Sequence, residues 1–168
     1  DNSAPTIATV SGTVTVALDA NGAGAISQSD VVASVTDNCT ATPTVTLSAT
    51  SFDCSDLGSN TITITATDAS GNVKTATTTV TVVDNTAPTI TAPASITLTL
   101  GSSGAVSLPL STASAADNCS GEPSLTYSAT NFSCADVGSN TITITSVDAS
   151  GNSSTTTMTV VVQDNTAP

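Results

Sequence analysis

Histidine and tryptophan are absent from this 168-residue chain, the only basic side chain is Lys74, and the aromatics are two phenylalanines and one tyrosine. Each gap removes a class of function. Catalysis has little to work with: there is no imidazole base, Glu122 is the only glutamate, and the one lysine is not repeated. The chain is therefore not expected to be an enzyme. Thirteen acidic residues against one base give a net charge of −12, which excludes an ordinary nucleic-acid or anionic-membrane footprint and points to cations as partners. Sugar recognition by stacking is poorly served, because Phe52, Tyr127 and Phe132 are needed in a core. No apolar run approaches the roughly 20 residues of a bilayer-spanning helix, and no leader peptide is visible, so membrane insertion is not expected. A salt-adapted surface would spread its acids evenly, yet only 8% of residues are charged and the exposed positions look to be Thr and Ser.

What the chain has is repetition. The stretch FDCSDLGSNTITITATDASGN at 52–72 returns as FSCADVGSNTITITSVDASGN at 132–152, identical at 16 of 21 positions. DNSAP at 1–5 is echoed by DNTAP at 84–88 and again at 164–168, spacings of 83 and 80 residues. Two modules are expected, 1–84 and 85–168, the second carrying the start of a further linker, as in a slice of a longer tandem array. A site needs to be written only once, whereas a building block is written many times.

Modules of about 80 residues lie near the lower limit of what folds securely without a staple. Cys39 and Cys54, and Cys119 and Cys134, recur at the same separation of 15, so one disulfide within each module is expected. Closing such a loop stabilises by roughly 3 kcal/mol in the chain-entropy picture and implies an oxidising, extracellular compartment. A zinc site would need a second cysteine pair or histidines nearby.

In NTITITAT at 60–67, Ile62, Ile64 and Ala66 alternate with Thr, the period of a strand with one buried face. A second long strand is expected over 73–83, joined by the turn DASGN at 68–72, where Gly71 and Asn72 tolerate positive φ. Strands at 13–18 and 23–27 flank the turn at 19–22, and another is expected at 45–50. Six or seven short strands per module, with no helical periodicity, predict an all-β chain: two tandem immunoglobulin-like antiparallel β-sandwiches.

F-x-C-x-D-x-G-x-N-T-I-T-I-T, then D-A-S-G-N, then V-x-D-N-x-A-P resembles the hyalin-repeat-like, immunoglobulin-like tandem modules of giant surface adhesins and appendages of gliding or predatory Bacteroidota. The resemblance covers both modules and is most specific over the last two-thirds of each. It implies a secreted, extracellular cell-surface protein, exported by the type IX route, that adheres or builds long fibres. The implied partners are neighbouring repeats, other fibre subunits or cell-surface glycans. Lys74 faces Ser154 in the second module, so a repeated lysine isopeptide staple is not implied.

The alternation of strands brings certain acids to one end of a sandwich. Asp1, Asn2, Asp37 and Asp68 form one set; Asp84, Asn85, Asp117 and Asp148 form its copy, and Asp164 starts a third. Carboxylates gathered without Lys or Arg repel unless a cation joins them, and Ca²⁺, which takes six to eight oxygens, fits the donor types. The linker is also similar to the D-N-x-A-P calcium linker of cadherins, although the other cadherin acidic motifs are missing. The alternative is that Asp and Asn serve here only as turn formers and caps. Asp56 and Asp136, before a glycine turn, are expected to be loop formers. The Thr ladders at 61, 63, 65 and 67 and at 77, 79 and 81 resemble flat ice-binding arrays, but sandwich sheets twist, and an uncharged exposed face is the simpler account.

Overall fold

The longest strands show how the sequence makes its layers. Ile62, Ile64 and Ala66 point to one side and are buried, while Thr61, Thr63 and Thr65 point to the other. The same alternation in Ile142, Ile144 and Ser146 serves the second copy. A computed structural model describes residues 1–119 and 121–165. The chain divides into two compact units, Asp1–Asn85 and Thr86–Pro168.

The first unit consists of β1 (Thr6–Thr9), β2 (Val14–Ala17), β3 (Ala23–Ala25), the one-turn helix α1 (Gln28–Val31), β4 (Val32–Thr36), β5 (Thr44–Leu47) and β6 (Ser51–Asp53). A 3-10 turn at Cys54–Asp56 then leads to β7 (Gly58–Thr67) and β8 (Val73–Val83). The main sheet has the order β2-β8-β7-β5, and the opposing layer is built from the pairs β1–β4 and β3–β6. Val16, Leu18, Val31, Phe52, Ile62, Ile64, Val80 and Val82 are among its buried side chains.

The second unit repeats the plan with β9 (Thr89–Thr91), β10 (Ser95–Thr99), β11 (Ala105–Ser107), a 3-10 turn at Leu110–Thr112, β12 (Ser114–Ala116) and β13 (Ser124–Tyr127). β14 (Asn131–Ser133), a 3-10 turn at Cys134–Asp136, β15 (Gly138–Val147) and β16 (Ser153–Gln163) complete it. Its sheet order is β10-β16-β15-β13, with the pairs β9–β12 and β11–β14 opposite. Leu100, Leu108, Phe132, Ile142, Ile144, Met158, Val160 and Val162 fill its core. Each unit is therefore a two-layered β-structure, apart from the one-turn helix α1 in the first.

Three expectations are corrected. The pairing is not wholly antiparallel: β2 runs parallel to β8, Val14 opposite Val80 through Ala17 opposite Val83, and β10 runs parallel to β16. A bend at Ser11 and Gly12, with Gly12 at φ +101°, separates β1 from β2 and lets the chain pass from one layer to the edge of the other. Next, a helical turn exists. The Asp30 carboxylate accepts from the Ser27 backbone N–H at 2.6 Å, a capping box that the spacing Ser-x-x-Asp announces.

Finally, the pairings Cys39–Cys54 and Cys119–Cys134 do not form: Cys54 and Cys119 are disulfide-bonded, whereas Cys39 and Cys134 are exposed free thiols. The cause is the length of β7. Cys54 lies just before Gly58, where β7 starts, with its Sγ 3.7 Å from the Gly22 carbonyl oxygen. Cys39 lies at the other end of the strand, beside Asp37 and the Asp68 turn. Ten residues of strand span about 33 Å, against the roughly 7 Å that two cystine Cα atoms tolerate.

Candidate cation site

Three turns of the first unit each carry a carboxylate to the same end. Asp1 precedes β1, Asp37 follows β4, and Asp68 closes β7. Each is fixed by its own loop. The Ser3 N–H donates to Asp1 Oδ1 at 2.9 Å. The Cys39 and Thr40 N–H groups donate to Asp37 Oδ2 at 3.1 and 2.8 Å. Ser70 and Asn72 donate from the backbone to Asp68 Oδ1, both at 2.8 Å. The Asn72 amide also donates to Asp68 Oδ2 at 2.8 Å and to the Asp1 carbonyl at 3.0 Å, so this one side chain ties the hairpin to the start of the unit.

The result is a cluster in which Asp1, Asp37 and Asp68 each offer a carboxylate oxygen within 4.8 Å of the others. Oxygens on opposite sides of a Ca²⁺ ion, each bonded at about 2.4 Å, are about 4.8 Å apart, so the three can share one shell. Asp37 Oδ1 is buried and has no hydrogen-bond partner, an atom whose desolvation is offset by nothing in the protein. Asp68 is itself buried, at 7% exposure. Its carboxyl is held below the ordinary value chiefly by the Asn72 amide, against burial, with help from the N–H groups of Asn72, Ser70 and Gly71. The group is thus ionised at neutral pH, as a cation ligand must be.

In the second unit Asp117 and Asp148 likewise bring carboxylate oxygens within 4.8 Å of each other. The Cys119 N–H donates to Asp117 Oδ2 at 3.0 Å, and Asn152 donates to Asp148 through its backbone and its amide, both at 2.8 Å. Burial raises the Asp148 carboxyl, and the bonds from Asn152, Gly151 and Ser150 outweigh it, leaving the group lowered. Asp84, the repeat's counterpart of Asp1, lies buried after β8 in the first unit. Asn2, Asn85 and Asp164 are exposed.

Asp56 and Asp136 act as caps, accepting the N–H of residues 53 and 133 at 2.9 and 2.8 Å. Asn72, Asn152 and Thr40, whose hydroxyl accepts the Ala69 N–H at 3.1 Å, belong to the site's support; the sequence pattern marks the two asparagines only as turn residues and does not mark Thr40. The recurrence of Asn at the end of both DASGN turns was the available signal.

Residues 83–162 match the HYR domain. Over 185 aligned positions the chain is 33% identical to the "Serine-rich adhesin for platelets" of Staphylococcus aureus strains MSSA476 and MW2, an alignment covering 94% of this chain. The chain spans 8% of the length of those relatives. Among solved structures, human mucin-like protocadherin EC1-2 aligns over 95% of this chain and 98% of its own at 12% identity, with a TM-score of 0.46. The fibronectin(III)-like modules of Clostridium thermocellum CbhA align over 95% of each chain at 12% identity, TM-score 0.33. The HYR match and the adhesin similarity support a hyalin-repeat, adhesin-like module. Among the described residues no helix is long and apolar enough to cross a membrane.

Proposed function

We propose that these modules are stalk repeats of a secreted bacterial surface adhesin or extracellular fibre, each stiffened at one end by bound calcium. The observation that carries this reading is the convergence of Asp1, Asp37 and Asp68 in a chain whose only base is Lys74, with the same acids written again 80 or so residues on as Asp84, Asp117 and Asp148. A cation there neutralises three like charges and ties together the segment before β1, the β4–β5 loop and the β7–β8 hairpin. The first residues of the module are thereby locked to its body. Repetition then sets length and stiffness, and the partners are neighbouring repeats and other fibre subunits.

Calorimetric titration of the chain with Ca²⁺ tests the metal. Heat and a raised melting temperature reversed by EDTA are expected, with the heat reduced by Asp37→Asn and unchanged by the capping variant Asp56→Asn. No heat at millimolar calcium would remove the ion from the proposal. The adhesin similarity favours a second reading, in which the modules themselves are the adhesive surface. Retention of the isolated pair on a cell surface or glycan array would favour that reading; an inert pair favours the stalk.

A further inference from the structure

The outward face of each main sheet is built of one chemistry. Register sets Thr61 opposite Thr79, Thr63 opposite Thr77 and Thr65 opposite Thr75. On the edge strands Thr15, beside Thr81, and Thr46, beside Thr65, extend the same rows. The second unit writes the face again with Thr141 opposite Thr159, Thr143 opposite Thr157 and Thr145 opposite Thr155. Among the described residues no strand of either main sheet carries an acid, although the chain has thirteen. Lys74 stands opposite buried Ala66 and so lies outside the threonine rows.

A face kept only for water has no reason to exclude charge, since well-behaved soluble surfaces carry about 25–35% charged side chains. The net charge of −12 pushes two copies apart wherever carboxylates meet, so the threonine faces are where a second copy can approach without burying an unpaired charge. The chemistry is also self-complementary. A hydroxyl both donates and accepts, so one threonine face can satisfy another, whereas two faces of carboxylates could not. Twist, which spoils a match to a flat lattice, does not spoil this contact: two sheets of the same hand pack face to face at about −30°.

We propose that the threonine face is the surface through which copies of this chain associate side by side, sheet against sheet. The inference rests on the fibre reading and deepens it by naming the partner and the face. The ten-step hairpin covers about 33 by 10 Å, and the edge strands widen the face to roughly 450 Å², against about 800 Å² per partner in a standard interface. One module therefore holds weakly, and each further repeat of an array adds the same face, so strength grows with repeat number. Added salt tightens such a contact, because it screens the repulsion between acidic chains and finds no ion pair to weaken.

The test is sedimentation equilibrium of this chain from about 10 μM to about 1 mM, with EDTA present so that calcium plays no part. The expected result is a mean mass that climbs from monomer toward dimer, further at high salt than at low, and NMR amide shifts that move with concentration in β7, β8, β15 and β16. Thr63→Lys together with Thr143→Lys should weaken association about tenfold or more, by setting like charges against each other. Ser34→Lys with Ser114→Lys adds the same charge to exposed positions of the opposing layers and should leave association intact. If the threonine pair unfolds its sheets, the shifts of the unsubstituted chain decide alone. A monomer at every concentration would overturn the face-to-face contact and leave the calcium-stiffened stalk standing, because calorimetry reads that separately. Association that survives the threonine pair in a folded chain, or shifts confined to β1, β4, β9 and β12, would overturn it equally.

Discussion

The two units are alike in their hairpins and differ in the segments that precede them. β7 and β8 pair from Gly58 opposite Val82 to Thr67 opposite Val73, and β15 and β16 pair from Gly138 opposite Val162 to Val147 opposite Ser153, the same ten-step register. The earlier segments diverge. A helical turn and a five-residue strand in the first unit are replaced in the second by a 3-10 turn and a three-residue strand. The cores are also filled differently: opposite the long hairpin's Ile62 stands Thr78, while Ile142 faces Met158. Gly24 pairs with Phe52 where Val106 pairs with Phe132, and buried Ala66 becomes buried Ser146. A hairpin held in register by twenty residues sets the frame, and the remaining strands need only fill it.

The largest break in this comparison is expected where the two copies are identical. Ile64 and Ile144 are both fully buried, and truncation of either to Ala should destabilise its own unit by about 2–5 kcal/mol, the cost of lost transfer and an unfilled cavity. Urea unfolding followed by circular dichroism reads both units together, and the fluorescence of Tyr127, the only tyrosine, follows the second alone. Equal losses are expected; a twofold difference would mean that the cores do not share the hairpin's frame.

Gly24→Ala should come next, destabilising the first unit by roughly 1–3 kcal/mol, since the new Cβ would meet Val16 Cγ1 at 2.5 Å and Leu18 Cδ2 at 3.1 Å. The second unit should not register the change. Ser146→Ala is expected to act in the opposite sense. The Ser146 hydroxyl is wholly buried without a hydrogen-bond partner, so its removal should stabilise the second unit by about 1 kcal/mol, and Ala66→Ser should cost the first a similar amount. A neutral Ser146→Ala would show that the hydroxyl finds water.

Acid response gives the finest contrast. Hydrogen bonds lower the carboxyls of Asp19, Asp30, Asp53 and Asp68 in the first unit and that of Asp148 in the second. A lowered carboxyl in the folded state contributes stability that is present above its unfolded value, near 4, and is lost as pH falls through the folded value. Melting temperatures should therefore stay level from pH 7 to about 5 and drop below about 4, more steeply for the first unit. Circular dichroism melts with the tyrosine signal in parallel separate the two.

The long strands and their turns were legible because Ile-Thr alternation states which side faces inward and DASGN states where the chain reverses. The convergence of Asp1, Asp37 and Asp68 was also legible, each acid being attached to a turn whose end of the sandwich follows from counting strands. Cysteine pairing was not, because a separation of 15 residues does not say which end of a 33 Å strand each sulfur occupies; the structure puts them at opposite ends (about 3.3 Å per residue). Nor was the direction of β2, since its partner β8 is some 66 residues away and no local pattern encodes the match (Val14 with Val80).

That parallel edge has a mechanical meaning. In each unit a strand near the start lies alongside the last strand and runs the same way, over four register pairs in the first and five in the second. Tension drawn between the two ends of such a unit pulls these neighbours past each other along their length. Their hydrogen bonds then carry the load together instead of opening one after another. An antiparallel edge would peel under the same pull; this one resists in shear.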